Sequence, residues 1–190
     1  MIVLASSSPR RHLLLEMLGI AHVIDPADID EATNTGESAE ELAVRLAREK
    51  ATTVATRHPG KVVLSADTLV VLGEDILGKP SSPVDAAAML RRLAGNQHRV
   101  VTAVAVAADG RVWDRCDVTK VWFRTLSEEM IDAYVATGES LDKAGSYGVQ
   151  GYGAVIVDRI EGDYFGVMGM PLRLVVELLE EAGQPYRFTR

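Results

Sequence analysis

Apolar and polar positions along the chain divide it into short, distinct segments. Ile2 to Ala5 is a brief apolar run that predicts a buried strand, ended by three serines. Pro9 opens a predicted helix to Leu18, and Gly19 is placed to stop it. Proline suits the first turn of a helix and glycine the left-handed residue after the last. Alternation over His22 to Asp25 predicts a second strand, and residues 26–36 are a polar loop. Ser38 and Glu41 form a capping box that opens a helix to about Arg57, with Leu42, Val44, Leu46 and Ala51 on its apolar side. Val62 to Leu72 is rich in β-formers and predicts a strand or hairpin arm, with Gly73-Glu74-Asp75 as its turn.

Ser82-Pro83 starts a further helix that ends near Gly95. Two β-prone stretches follow, Arg99 to Ala107 and Val112 to Arg124, joined by Asp109-Gly110. That dipeptide tolerates the positive φ angles a tight hairpin needs. Ser127 caps a helix with Glu128 and Glu129 in its first turn and Gly138 at its end. Residues 139–153 are glycine-rich. Ala154 to Ile160 and Tyr164 to Val167 predict a second hairpin around Glu161-Gly162-Asp163, and Pro171 opens a last helix that ends near Gly183. Helices mixed with strands and hairpins predict an α/β or α+β fold with a mixed sheet, in place of a regular doubly wound alternation. With no repeat, low-complexity tract or linker, residues 1–190 read as one continuous domain, with room for two lobes around a cleft.

The chain has 190 residues, 47% hydrophobic and 25% charged, which suffices for a real core and excludes disordered and collagen-like classes. A net charge of −7 argues against nucleic acid as the main partner, because such proteins carry a basic surplus. A small anionic substrate stays compatible, since a local basic cluster can sit within an acidic surface. Cys116 is the single cysteine, so there is no intrachain disulfide and no CxxC metal site. No apolar run is long enough to span a membrane, and the N-terminus places its apolar stretch before its basic residues, the reverse of a signal peptide. The expectation is a cytoplasmic protein with no membrane partner.

Phosphate-loop, H-E-x-x-H and G-x-S-x-G motifs are absent, and His12, His22, His58 and His98 share no ligand spacing. Those histidines read as surface or packing residues. Three segments carry candidate chemistry. Ser6-Ser7-Ser8-Pro9-Arg10-Arg11 brings hydroxyls, free N–H groups of a helix start and two guanidinium groups together, which suits an anion. It also suits a plain cap followed by solvated arginines. In Ser65-Ala66-Asp67-Thr68, an aspartate interrupts an apolar run and needs a partner if buried. It could hold Mg²⁺ or activate water, or it could bond its own backbone at a strand-end turn; the first reading is favoured. Gly78-Lys79-Pro80 could bring an ammonium group back to the same place. In Asp142 to Gly153, glycines permit close backbone approach to a ligand, Lys143 can meet phosphate and Gln150 can read a base edge. Tyr147 or Tyr152 could stack on a base or pack in the core. The alternative for this segment is a mobile surface loop. Together these residues suit phosphoryl chemistry on a nucleotide.

LASSSPRR at the start, ADT at 66–68, GKP at 78–80 and KAGSYGVQG at 143–151 resemble, in order and spacing, the Maf family over essentially the whole chain. The resemblance implies an elongated mixed twisted sheet flanked by helices, with two lobes around a cleft, similar to inosine triphosphate pyrophosphatases. It implies hydrolysis of a nucleoside triphosphate between the α- and β-phosphates, with a divalent cation, Mg²⁺ or Mn²⁺. Asp67 then falls on the family's proton acceptor, and Arg11, Thr68 and Gln150 on the positions linked to base choice. Arg10, Lys50, Lys79 and Lys143, with Ser8, fall on the phosphate-binding set. Glu31 matches an acidic residue associated with metal beside Asp67, although Asp30 competes for that match. ADT and Gly-x-Gln-Gly resemble the dTTP/UTP branch, where the 7-methyl-GTP branch tends to carry Ser-Asp-Gln and Ser-x-x-Glu-Gly. A Gln amide meets the acceptor–donor–acceptor edge of a pyrimidine imide, whereas a cationic 7-methylguanine would prefer a carboxylate. The rival expectations are 7-methyl-GTP or a modified nucleotide as substrate, and a non-enzymatic regulator of septum formation. The family also carries the expectation of a homodimer.

Overall fold

The computed structural model describes residues 1–188. Its elements are β1 (Ile2–Leu4), α1 (Pro9–Met17), β2 (His22–Ile24), α2 (Ala39–Ala55), β3 (Val63–Leu72), β4 (Asp75–Leu77), α3 (Pro83–Leu93), β5 (Gln97–Ala108), β6 (Arg111–Phe123), α4 (Glu128–Ala136), β7 (Val157–Glu161), α5 (Tyr164–Met168) and α6 (Leu172–Glu181). Short 3-10 turns cover Ala144–Ser146 and Gly151–Val155. The strands form one seven-stranded sheet in the order β2-β1-β3-β5-β6-β7, with β4 paired to β3. β1 runs parallel to β2 and β3, while β3–β4 and β6–β7 are antiparallel, so the fold is mixed α/β.

Local chemistry accounts for most boundaries. Ser38 and Glu41 make the expected reciprocal capping box at α2. Ser82 and Ser127 each accept a backbone N–H three residues on, at the starts of α3 and α4. Asp109 and Gly110 both take positive φ, 48° and 75°, in the two-residue turn from β5 to β6. α2 buries Leu42, Ala43, Leu46, Ala47, Ala51 and Val54 along one face, and Val44, expected there, is only partly covered.

One expected element is different. Tyr164 to Val167 does not form a hairpin arm; it lies in α5, and β7 instead pairs with Lys120 to Phe123 of β6. Asp163 decides this. Its N–H donates to Thr119 Oγ1 at 2.7 Å, and its carboxylate accepts from Gly166 N at 2.9 Å. A cap at that position starts a helix in spite of the β-prone Tyr, Phe and Val that follow it.

The chain folds as two compact units. The first comprises residues 1–67, 102–117 and the segment from Gly169 onward; the second comprises residues 68–101 and 118–168. In the first, Leu4, Leu15, Leu46, Val54, Leu64 and Leu178 are buried. In the second, the core joins Val70, Leu90, Leu93, Phe123, Ile131 and Tyr147. The division falls within β3, between Asp67 and Thr68.

Candidate functional site

Ser65 sets the frame of the first unit's polar cluster. Its fully buried hydroxyl donates to the Ala47 carbonyl of α2 at 2.5 Å. Lys50 lies one helical turn beyond Ala47, and Asp67 lies two strand positions beyond Ser65, so each shares a face with its neighbour. The two periods together bring Lys50 Nζ to 2.6 Å from Asp67 Oδ1. The same ammonium stands 2.6 Å from Glu31 Oε1. The Lys50 and Asp67 side chains are 12% and 9% exposed, whereas Glu31 is 59% exposed, so the pair is shielded and the third member faces solvent. Asp67 is therefore a mid-strand residue with a cationic partner; β3 continues past it to Leu72, and no strand-end turn is present there.

The loop that carries Glu31 is tied to α2 and the residues just after it. Arg57 grips the Asp25 carboxylate at 2.9 and 3.1 Å and the Pro26 carbonyl at 2.9 Å, and His58 adds a bond to Asp25 at 2.7 Å. Further along, Arg45 bonds the Ala32 carbonyl at 2.8 Å and clasps both oxygens of Glu37 at 2.7 and 2.9 Å. The Arg45 bond, followed by burial working against it, leaves the Glu37 carboxyl lowered to about 2. Within the loop, Asp30 accepts from Ala32 N at 3.0 Å in a local turn, and it is Glu31 that reaches Lys50.

At the start of α1, Ser8 occupies the cap position without making a side-chain cap bond, and its N–H donates to Ser6 Oγ at 3.2 Å. Arg11 donates to Ser6 Oγ at 3.0 Å and to the Gly169 carbonyl at 2.9 Å, so it is a partly buried, anchored cation and not a solvated one. Burial lowers its pKa; Asp67 opposes that, Arg10 adds to it and Glu31 opposes it. Arg10, Arg11, Glu31, Lys50 and Asp67 thus share one electrostatic neighbourhood. Two carboxylates flank a single ammonium there, a donor set that fits Mg²⁺ or Mn²⁺, because such ions take few protein carboxylates and complete their shell with water and substrate phosphate. Among the described residues, no group of three or more His, Cys, Asp and Glu forms a fuller cage.

The second unit carries Thr68, Lys79, Lys143 and Gln150. Lys79 and Gln150 are exposed. Lys143 Nζ donates to the Glu139 carbonyl at 2.5 Å and pairs with Asp142 at 2.6 Å. Gly145 takes φ +67°, donates to the Gly78 carbonyl at 3.0 Å, and leaves no room for a side chain, since a Cβ would sit 2.8 Å from Val70 Cγ1. The glycine-rich stretch is therefore folded in place, with the Gly78-Lys79 and Lys143 to Gly145 segments bonded to each other. Of the two candidate stacking tyrosines, Tyr147 is buried against Phe123 and bonded to His98 at 2.7 Å, while Tyr152 is 67% exposed.

Glu139 is not among the residues expected from sequence, where it stands at the start of the glycine-rich stretch. Its Oε1 accepts from Tyr134 OH and Gly153 N, each at 2.9 Å, and its Oε2 accepts from Tyr152 N at 2.9 Å. His12 Nδ1 and His22 Nε2 also meet, at 2.7 Å, although they are ten residues apart and show no motif spacing.

No helix among the described residues is long and apolar enough to cross a membrane. The family model described as Maf-like protein matches residues 1–182. The chain is 48% identical over 187 residues to a dTTP/UTP pyrophosphatase of Alcanivorax borkumensis, covering 97% of each chain. It is 50% identical over 186 residues to a dTTP/UTP pyrophosphatase of Myxococcus xanthus, covering 97% of this chain and 94% of that one. The structure of the Staphylococcus aureus Ham1 protein aligns at a TM-score of 0.46 and 16% identity over 82% of this chain and 79% of that one, too loosely to carry weight. With the family model matched from the first residue through α6 and relatives at this identity along nearly its whole length, the chain belongs to the Maf family.

Proposed function

We propose that this protein hydrolyses dTTP and UTP to the nucleoside monophosphate and pyrophosphate. The observation that carries the reading is the shielded Lys50–Asp67 pair with Glu31 on the same ammonium, in a chain about half identical to proteins named dTTP/UTP pyrophosphatase. A carboxylate held in the middle of an apolar strand is costly unless it has a task or a partner, and here it has a partner that also suits a phosphate.

Asp67 is assigned as the base. It takes a proton from water as the water oxygen attacks the α-phosphorus; the bond from that phosphorus to the bridging oxygen breaks, and pyrophosphate leaves. Asp67 and Glu31 are the residues that would hold Mg²⁺ or Mn²⁺, which supplies charge neutralisation on the triphosphate and a more acidic water. Ser8, Arg10, Lys50, Lys79 and Lys143 are assigned to the phosphate oxygens, where fixed cations stabilise charge that grows in the transition state. Thr68, Gln150 and Arg11 are assigned to base choice, with the Gln150 amide on the imide edge of thymine or uracil. A free-nucleotide substrate goes with residence in the cytoplasm.

The test is pyrophosphate release by the purified protein with Mg²⁺ or Mn²⁺ over dTTP, UTP, CTP, GTP and 7-methyl-GTP, beside Asp67→Asn. Release from dTTP and UTP that vanishes in the variant is the expected result. Release chiefly from 7-methyl-GTP would overturn the assignment of Thr68 and Gln150. No release from any substrate would overturn the enzymatic reading and favour a regulator without catalysis.

A further inference from the structure

The assignment of Gln150 to the base leaves open what fixes its orientation. Its side chain is exposed and lies in a segment dense with glycine, which alone would let the backbone drift. A Gln amide offers both an acceptor and a donor, so selecting uracil over cytosine requires that it reach the base from a fixed place.

The bonds around that segment hold its backbone in place on both sides of Gln150. Gly148 N donates to Tyr134 OH at 3.2 Å, and that hydroxyl donates to Glu139 Oε1 at 2.9 Å. On the far side of Gln150, Tyr152 N and Gly153 N each donate to the same carboxylate at 2.9 Å. Gln150 is thus bracketed by two anchors that end on one side chain. The glycines fit closely around it: a Cβ at Gly151 would lie 2.4 Å from Glu139 Oε2, and one at Gly153 would lie 1.9 Å from the Gly148 carbonyl oxygen. The backbone carbonyl of Glu139 also receives Lys143 Nζ at 2.5 Å.

We infer that Glu139 is the positioning residue of the base-reading segment, holding Gln150 so that thymine and uracil are selected over cytosine, an inference that rests on the proposed role of Gln150. A carboxylate is required because all three contacts arrive as donors. An amide in its place turns one acceptor into a donor that faces an N–H.

The experiment compares steady-state hydrolysis of dTTP, UTP and CTP by the wild type, Glu139→Gln, Tyr134→Phe, Gln150→Ala and the Glu139→Gln/Gln150→Ala double variant. Glu139→Gln is expected to raise KM for dTTP and UTP about tenfold with kcat nearly unchanged, and to lower the dTTP-to-CTP preference by a similar factor. Tyr134→Phe removes one anchor, keeps the ring, and shifts both values in the same direction by less; it carries the test if Glu139→Gln fails to fold. In the Gln150→Ala background, Glu139→Gln should change the preference no further, because both substitutions remove one interaction. If Gln150→Ala lowers the preference while Glu139→Gln and Tyr134→Phe leave it intact, the inference about Glu139 is overturned and the role of Gln150 stands. If Gln150→Ala itself leaves the preference intact, the base-reading assignment fails, and the inference with it.

Discussion

Lys50 donates to Asp67 at 2.6 Å because a buried serine hydroxyl one helical turn and two strand positions away ties α2 to β3. The pairing is a consequence of register: a slip of one residue in either element would turn one of the two side chains away from the other. It separates stability from activity in a way that two substitutions can read.

Asp67→Asn keeps the shape and an acceptor for Lys50 but cannot take a proton. It is expected to lose nearly all turnover while urea unfolding shifts by less than about 1 kcal/mol. Lys50→Met leaves Asp67 shielded without its cation, and is expected to lose on the order of 3 kcal/mol together with at least about a hundredfold in kcat/KM. Equal stability losses in the two variants would contradict the arrangement.

Ser65→Ala tests the frame without touching a charge. The lost bond to the Ala47 carbonyl is expected to cost about 1 kcal/mol in urea unfolding. Because that bond sets the approach of Lys50 to Asp67, kcat should fall about tenfold although no charged group is altered. Unchanged kcat in a destabilised variant would show that helix and strand keep their register without it.

Much of this arrangement is legible in the sequence, and the legible part has a common character. The capping box at Ser38, the Asp109-Gly110 turn and the glycine stops at 19, 138 and 183 are local signals, and the structure uses each of them. The lone aspartate in an apolar run is local too. What could not be read depends on residues far apart in the chain. Nothing near Tyr164 shows that Asp163 will be held by Thr119 of β6, so the β-prone residues after it read as a strand. The reach of Arg45 to Glu37 and the Ala32 carbonyl follows only from where the loop lies. Glu139 is hidden for the same reason: its donors are Tyr134 of α4 and the N–H groups of Tyr152 and Gly153, which only the folded loop brings to one carboxylate.

Arg45→Met is expected to release the Glu31 loop. Limited proteolysis at neutral pH should cut the variant within residues 26–37 and spare the wild type. The clamp also has an acid limit. The Arg45 bond, with burial opposing it, lowers the Glu37 carboxyl from 4.5 to about 2, so its contribution is complete above 4.5, declines below that value and is lost as pH falls through about 2. Equal cleavage of both proteins at pH 7 would remove Arg45 from this role.

Two glycines with the same backbone sign should respond differently to alanine. Gly36 has φ +79° and open space where a Cβ would stand, so Gly36→Ala should cost only the conformational term, about 1 kcal/mol. Gly145 has φ +67°, and a Cβ there would meet Val70 at 2.8 Å, so Gly145→Ala should cost more than about 2 kcal/mol in urea unfolding. Equal losses would mean that the Gly145 segment moves freely off Val70.

His98 gives the protein a stability slope in mild acid. It is 1% exposed, its Nε2 meets Tyr147 OH at 2.7 Å, and its Nδ1 has no hydrogen-bond partner among the described residues. Burial pushes its pKa down from 6.5 to about 4. Between those values the unfolded chain binds a proton that the folded protein refuses, so stability rises with pH from about 4 to 6.5 and is level above it. The span corresponds to on the order of 3 kcal/mol across the window. His98→Gln retains a polar group for Tyr147 and does not titrate, so the difference between wild type and variant isolates this residue from the carboxylates that titrate alongside it. Urea unfolding at pH 4.5, 5.5, 6.5 and 7.5 should show the variant losing less stability than the wild type toward acid, with the two curves parallel above pH 6.5. Curves that stay parallel down to pH 4.5 would mean that His98 is protonated in the folded protein, and that the Nδ1 side of the ring reaches an acceptor or water.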